Sequence, residues 1–437
     1  MQEFTGQDRL ESIDETFVLN PTDRTTDKVS LWDYFVVMMF LITSGATFWV
    51  GLLTAGITFS IFFVVALINC LCVKKGINNI FNPSVNFIYL VIILCLINFI
   101  IYQPEYKDNS MIGYLICIIS AYLVISQYDF YYFRRILTNV VFVISAVGIP
   151  IFLLFEYDIL PTQEISVQSG KDYTMFYIYT LGWPYPFGRF TGIWHEAGAC
   201  QIILNSVLWL HFNNMINWEW EKGQLIKLLI ILIASLLTMS TGGYLVLMLL
   251  FLSVVINLKS VVINLKIERK HKIPIVIIVF AITVLSLVLM ISSDVVQNKL
   301  FDAEGEHVSK MERISDVSAL WQMTLERPLL GYGIGTVEFW NMSDKYGNTS
   351  CSTGLLTYSA SLGFTWMFIF ILFLWKGIRQ MGLGKASFLL LIAVLLMQFN
   401  EKFIEYPITN LFIFRFASYY DKINKETIED KCCDCDV

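Results

Sequence analysis

The sequence predicts an all-α protein that crosses a lipid bilayer about twelve times. Three observations carry that expectation. Of the 437 residues, 56% are hydrophobic and only 15% charged, with mean hydropathy +0.63, whereas a soluble domain carries roughly 25% charged residues. The deficit is concentrated in runs such as Ile57–Val73, Val85–Ile101, Val140–Phe155, Ile275–Ile291 and Leu355–Trp375, each near the roughly 20 residues that a helix needs to cross the hydrocarbon. Basic clusters also recur at intervals that place them all on one side of the membrane. Without water, each run must satisfy its own backbone groups, which a helix does, and the period-two alternation of a membrane barrel is not visible.

In chain order the candidate spans are 31–47, 52–73, 85–101, 111–126, 137–155, 201–212, 225–240, 244–258, 273–292, 353–375, 388–399 and 404–418. Lys74 and Lys75 follow the second span, Arg134 and Arg135 the fourth, Lys259 to Lys272 the eighth, and Lys376, Arg379 and Lys385 the tenth. Alternating spans bring all four clusters to the cytoplasmic face. Residues 1–30 are then a polar cytoplasmic tail, with no apolar core of a signal peptide before Leu31. Residues 31–420 form the membrane domain, and residues 421–437 a second cytoplasmic tail. The same bookkeeping leaves two long external loops, about 157–199 and 293–352, and loops of that length carry function when ordered.

The nine cysteines are not a disulfide framework. Cys70, Cys72, Cys95 and Cys117 lie inside apolar runs, where a thiol behaves as a small hydrophobe. Cys432, Cys433 and Cys435 occupy a short acidic tail that offers a metal no supporting shell. Cys200 and Cys351 both fall near the external surface, and they can pair only if their Cα atoms come within about 7 Å.

The first external loop crowds aromatic residues, among them Trp183, Tyr185 and Trp194, between glycines and prolines. Two readings stand: ring faces for stacking on sugars, or an aromatic belt at headgroup level. Within it runs Arg189-Phe190-Thr191-Gly192-Ile193-Trp194-His195-Glu196-Ala197-Gly198, with three ionisable groups at the start of a span, a placement that is a functional hypothesis by default. Arg189 offers a planar fork to phosphate oxygens, while Glu196 or His195 can take a proton from a hydroxyl. Position 199 is Ala199, so His-Glu does not begin a zinc-protease motif.

In the second loop, Val308, Met311, Ile314, Val317, Leu320, Trp321 and Leu325 recur at helical spacing, with Lys310, Glu312, Arg313 and Asp316 on the other side. Lying on the outer leaflet is the bland account of this helix, in which Arg313 is a solvated charge. Pro328 ends it. The following Gly331-Tyr332-Gly333-Ile334-Gly335 lacks the strand and lysine of a nucleotide loop. The acidic run Asp302, Glu304 and Glu306 reads as a solvated turn. Ser240-Thr241-Gly242-Gly243-Tyr244 reads as a tight external turn able to approach a headgroup.

These segments resemble a known family. Arg189–Gly198 is similar to the arginine-plus-Gly-x-Phe-x-Glu-Pro-Gly segment of Wzy-type O-antigen and capsule polymerases. Glu326–Gly335 resembles the Pro-Leu-x-Gly-x-Gly turn of the O-antigen ligase/polymerase superfamily, and Gly354–Phe370 its next span, with Gly363 at the usual glycine. Two departures stand out. Ala197 replaces a common proline, and Asn348–Ser352 lacks the histidine that ligases typically show there, which favours polymerase over ligase.

The resemblance implies a GT-C-like membrane glycosyltransferase of the bacterial inner membrane, working at its external face without metal or other cofactor. It would join polyprenyl-diphosphate-linked oligosaccharides, as donor and acceptor, into surface polysaccharide. Arg189 and Arg313 would hold the diphosphate, and Glu196 would activate the acceptor, a step that His195 could also perform. Trp183, Tyr185, Trp194, Arg327, Tyr332 and Tyr244 would contact substrate. Membrane lipid, a flippase and a chain-length regulator are the expected partners, and nucleic acid is not. A ligase and a transporter of lipid-linked oligosaccharide are the alternatives, although no internal repeat or mid-span ionisable site of a transporter is visible.

Overall fold

The computed structural model describes residues 29–45, 54–74, 82–166, 172–182, 188–217, 220–257, 288, 308–347, 351, 353–401 and 406–417, with backbone alone at 172 and 308–313. Both tails, most of the expected ninth span, Trp183 and Tyr185 lie outside the described residues.

The helices are α1 (Leu31–Ile42), α2 (Ala55–Ile68, extended by a wide turn through Val73), α3 (Asn86–Tyr102), α4 (Ser110–Ile125), α5 (Phe130–Glu156), α6 (Ala197–Leu210), α7 (Phe212–Asn217), α8 (Gln224–Leu237), α9 (Thr241–Ile256), α10 (Val308–Glu326), α11 (Val337–Lys345), α12 (Gly354–Gln380), α13 (Ala386–Asn400) and α14 (Pro407–Asn410). Among the described residues, 55–73, 83–102, 130–156 and 354–380 can each cross a bilayer by length and composition, and six shorter apolar helices accompany them. Their outward faces are apolar. Ile57, Ile61, Val64 and Ile68 line one exposed stripe of α2, and Leu90, Ile93, Ile97 and Ile100 one of α3. Water would penalise such stripes, but lipid does not.

Polar side chains start several helices where the sequence changes character. Ser30 caps α1 by accepting from Asp33 N, and Asp129 caps α5 by accepting from Tyr131 N and Tyr132 N. Ser240 caps α9, so Thr241–Tyr244, expected as a turn, is the first turn of a helix. The last expected span is not one continuous helix. After α14 the chain turns through Leu411–Phe416, whose apolar side chains are buried. Irregular backbone at membrane depth is tolerated where protein surrounds it.

The first of the two long loops departs from an all-helical expectation by forming a small antiparallel sheet: β1 (Gln163–Ser166), β2 (Asp172–Phe176) and β3 (Tyr179–Gly182), in that order. Ile165, Tyr173 and Met175 make its own small core. β3 seats the sheet on α5, where the Tyr179 hydroxyl donates to the Ile144 carbonyl at 3.1 Å. A Cβ on Gly148 would lie 2.7 Å from the Tyr179 ring and 2.9 Å from Phe190.

The second loop forms a cap with its own core of Leu320, Met323, Tyr332, Phe339, Cys351, Leu356 and Ala360. The apolar residues of α10 divide between two surroundings. Leu320 and Met323 face this core, while Ile314, Trp321 and Leu325 are exposed, and Trp321 meets Phe364 of α12 edge-on at 5.6 Å. Cys351 belongs to the cap core and Cys200 to the main core, and the two form no bridge.

The cap is docked into a break in α12. Gly363 has φ 78° and ψ 176° inside that helix, a combination essentially confined to glycine. Tyr332 N donates to the Ala360 carbonyl at 3.0 Å and Gly333 N to the Ser361 carbonyl at 2.7 Å, while Phe364 N donates to the Pro328 carbonyl at 2.7 Å. Backbone approaches backbone so closely that neither Gly331 nor Gly363 has room for a Cβ. Gly363→Ala costs about 1–3 kcal/mol in backbone strain alone, before the steric conflict with Leu329. Thermal denaturation of the purified full-length protein is expected to show a clear drop in Tm, and a Tm equal to the parent's would contradict this account of the break.

Candidate functional site

The end of the bundle that bears the cap also bears the Arg189–Gly198 segment. Phe190 N donates to the Leu237 carbonyl at 2.9 Å and Thr180 N to the Gly192 carbonyl at 3.0 Å, so the segment is clamped between the end of α8 and β3. Arg189 is half-buried and donates from Nε to the Thr238 carbonyl at 3.1 Å. Tyr244, within reach of Arg189's charge, is buried and donates to the Leu236 carbonyl at 2.7 Å. Both side chains therefore brace the α8–α9 corner. The structure puts Tyr244 beneath that corner rather than on an open surface.

Trp194 is wholly enclosed in the main core, and its indole N–H has no hydrogen-bond partner. His195 and Glu196 are the accessible pair of the segment, with Nε2 3.2 Å from Oε1 and side chains 28% and 44% exposed. Glu196 lies near Tyr173 of β2, whose phenol is pushed up to about 12 by burial and then by the Glu196 charge.

Glu196 stands at the N-cap position of α6 without bonding its own helix. The carboxylate that does reach this end belongs to Glu401, after α13, and it fills the space beside Gly198 where a Cβ would otherwise stand. A carboxylate there complements the positive end of the helix and leaves Glu196 turned toward His195. Next to it, Asn400 packs on Gly242 and Gln201 on Gly243. Asn205 ties these elements together, donating to Gln201 Oε1 at 2.9 Å and to the Gly243 carbonyl at 3.1 Å, and accepting from the Ser235 hydroxyl at 2.8 Å. Sequence reasoning missed Glu401, Asn400, Gln201 and Asn205. The one signal was an Asn-Glu pair directly after an apolar run.

A second charged group lies on the cap. The Arg327 guanidinium sits between the rings of Tyr102 and Tyr332, 4.4 and 4.5 Å from their centroids. It also makes a two-pronged pair with Glu338, with Nη1 2.8 Å from Oε2. Glu326 accepts from the hydroxyls of Tyr332 and Tyr346. These two bonds hold its carboxyl below the ordinary value of 4.5, while burial and then Glu326 raise the Tyr332 phenol. Arg327 is thus satisfied by protein, and a phosphate could use its fork only by displacing Glu338. Arg313 lies near the far end of α10, thirteen residues before Glu326, so about 20 Å of helix separates them. Of the expected site residues, the structure gathers Arg189, Trp194, His195, Glu196 and Tyr244 around the α6 and α8–α9 ends. It places Arg327 and Tyr332 in a separate group against α3 and α11.

These features describe a multi-pass helical membrane protein with charged and aromatic residues gathered at one end of its bundle. Residues 226–355 match the family model described as O-antigen ligase, a span running from α8 through the cap to the start of α12. That match likens this segment, under a third of the chain, to the O-antigen ligase family. No curated protein matches the chain.

Because the folded Glu326 carboxyl is held low, its contribution to cap stability is present above pH 4.5 and is lost as pH falls through the lower folded value. Melting curves between pH 3 and 7 should show Tm falling at the acid end, and Glu326→Gln should flatten that limb. Gly198→Ala places a methyl group where the Glu401 carboxylate stands, so that carboxylate must swing away from the end of α6. Glu401→Ala should then change Tm less in the Gly198→Ala background than in the parent, whereas strictly additive changes would mean the two residues do not meet.

Proposed function

We propose that this protein is a membrane glycosyltransferase that polymerises polyprenyl-diphosphate-linked oligosaccharide repeats into surface polysaccharide at the external face of the bacterial inner membrane. The observation that carries this reading is the Arg189–Glu196 segment. It sets an arginine and an accessible His-Glu pair at the same end of the bundle as the cap, which lies within the family match.

The acceptor sugar's hydroxyl oxygen forms a bond to the donor's anomeric carbon, and the bond from that carbon to the diphosphate breaks. Polyprenyl diphosphate leaves with the electron pair, and the hydroxyl proton passes to Glu196, with His195 as its immediate neighbour. Negative charge builds on the departing diphosphate, so a fixed guanidinium aimed there lowers the barrier. Arg189 is the candidate for this role because Nε bonding to Thr238 fixes its plane; Arg313, on α10, is the second candidate.

The description attached to the family match, O-antigen ligase, favours a second reading in which the acceptor is a lipid or protein. The missing histidine in Asn348–Ser352 argues for the polymerase. Extending lipid-linked repeats in the absence of any other acceptor distinguishes the two. Losing an arginine that stabilises developing charge costs about 10²–10³-fold in rate. In a deletion strain complemented with Arg189→Ala, gels of surface glycan should therefore lose long chains, with Arg189→Lys recovering little. Unchanged long-chain product from Arg189→Ala would overturn the assignment.

A further inference from the structure

The end of the bundle opposite the cap carries a cationic pocket that the glycan chemistry does not use. A cavity of about 100 Å³ is lined by Ser84, Asn86, Phe373, Lys376 and Arg415 among others. It adjoins a wider recess of about 430 Å³ at which Trp375 and Arg379 join Lys376, Gln380 and Arg415. Three cations thus converge. Among the described residues, none of the three has a carboxylate partner.

The pocket is held in shape by its backbone. Arg415 N donates to the Ser84 hydroxyl at 3.2 Å, and Asn82 Nδ2 donates to the Arg415 carbonyl at 3.4 Å. Gly377 leaves no room for a Cβ against the Phe412 carbonyl, so α12 and the 412–415 segment lie in direct contact. Two of the cations rest on rings, Lys376 over Phe373 at 5.4 Å and Arg379 over Trp375 at 5.7 Å. Arg415 is only partly exposed, and its neighbours Phe414 and Phe416 are buried. A guanidinium drawn out of water without an anion is costly, so an anion supplied from outside offsets a cost already present.

We propose that this pocket binds the phosphate group of an anionic phospholipid of the cytoplasmic leaflet. The positive-inside rule places these cations at that leaflet, and basic pockets between membrane helices suit such headgroups. The rest of a lipid fits as well. Asn86 at the pocket begins α3, whose exposed Tyr89, Leu90, Ile93 and Ile97 lead away toward the other end. That stripe is a track for acyl chains, which a free phosphate ion would not need.

The test uses the full chain in nanodiscs of phosphatidylcholine with or without phosphatidylglycerol, reading retained lipid by native mass spectrometry and Tm in parallel. Phosphatidylglycerol should be retained and should raise Tm. Lys376→Gln/Arg379→Gln, both at exposed positions, should weaken retention by about tenfold or more. Arg415→Gln should do the same, and if that variant fails to fold, the exposed pair decides. Arg135→Gln, an exposed cation outside the pocket at the same end, should change nothing. Equal loss with Arg135→Gln would reduce the effect to general surface attraction and overturn the proposal. Equal protection by inorganic phosphate in phosphatidylcholine alone would overturn the lipid assignment, as would retention by the parent that is insensitive to all pocket variants. The readout is independent of glycan synthesis, so its failure and that of the proposed function are separable.

Discussion

A helix crossing a membrane cannot leave backbone groups open, because hydrocarbon offers nothing to bond them. Helix α12 breaks at Gly363, and the loop Pro328–Gly333 supplies the missing partners by exchanging three backbone hydrogen bonds with it. The geometry of the cap follows from that exchange. With Tyr332 and Gly333 pinned to α12, Arg327 falls beside Tyr102 at the end of α3. Gly335 then meets the α3–α4 connection, where Lys107 N donates to its carbonyl at 2.9 Å, and Val337 N donates to Glu105 O at 2.8 Å. The glycine spacing that superficially suggests a phosphate loop is therefore a backbone-to-backbone seam.

The arginines at this end do different work because their surroundings differ. Arg327 is saturated by a carboxylate and two rings, which makes it a cross-brace of the cap. Arg189 donates from Nε to the Thr238 carbonyl on the α8–α9 corner. Glu196 and Glu401 divide the roles open to a carboxylate at a helix start. Glu401, arriving from another helix, occupies the N-terminal end of α6, and Glu196 keeps its contact with His195. Gly198 makes that division possible by leaving the space.

The opposite end is also built from polar contacts. Asp33 is buried, paired with Lys74 at 2.8 Å and bonded by the hydroxyls of Tyr128 and Tyr132, which ties α1, the end of α2 and the start of α5 together. Arg134 reaches across to the Leu210 carbonyl and Asn214. His211 lies between Gln224 and Thr138, at 3.1 and 2.7 Å. With the Gln224 amide donating to Nδ1, the histidine proton sits on Nε2 and goes to Thr138, whose hydroxyl in turn donates to the Arg134 carbonyl. Buried charges at this end are thus partnered within the protein. The group around Arg415 differs in having cations and no described acid.

Much of this was legible in the sequence, since lipid imposes a coarse and nearly one-dimensional demand. A run of apolar residues must be helical whatever it packs against, and basic residues prefer one side. The helical character of the apolar runs followed from that, and four of the described helices are long and apolar enough to cross a bilayer. Only the tertiary structure decided which expected site residues are accessible. Trp194 and Tyr244 look like surface aromatics in sequence but are buried in the main core, and Arg327 looks free until Glu338 folds back onto it. Glu401 and Arg415 gave almost no local signal. Their places are set by Gly198 and Ser84, some 200 and 330 residues away along the chain, and a long-range contact leaves no period or spacing behind to be read.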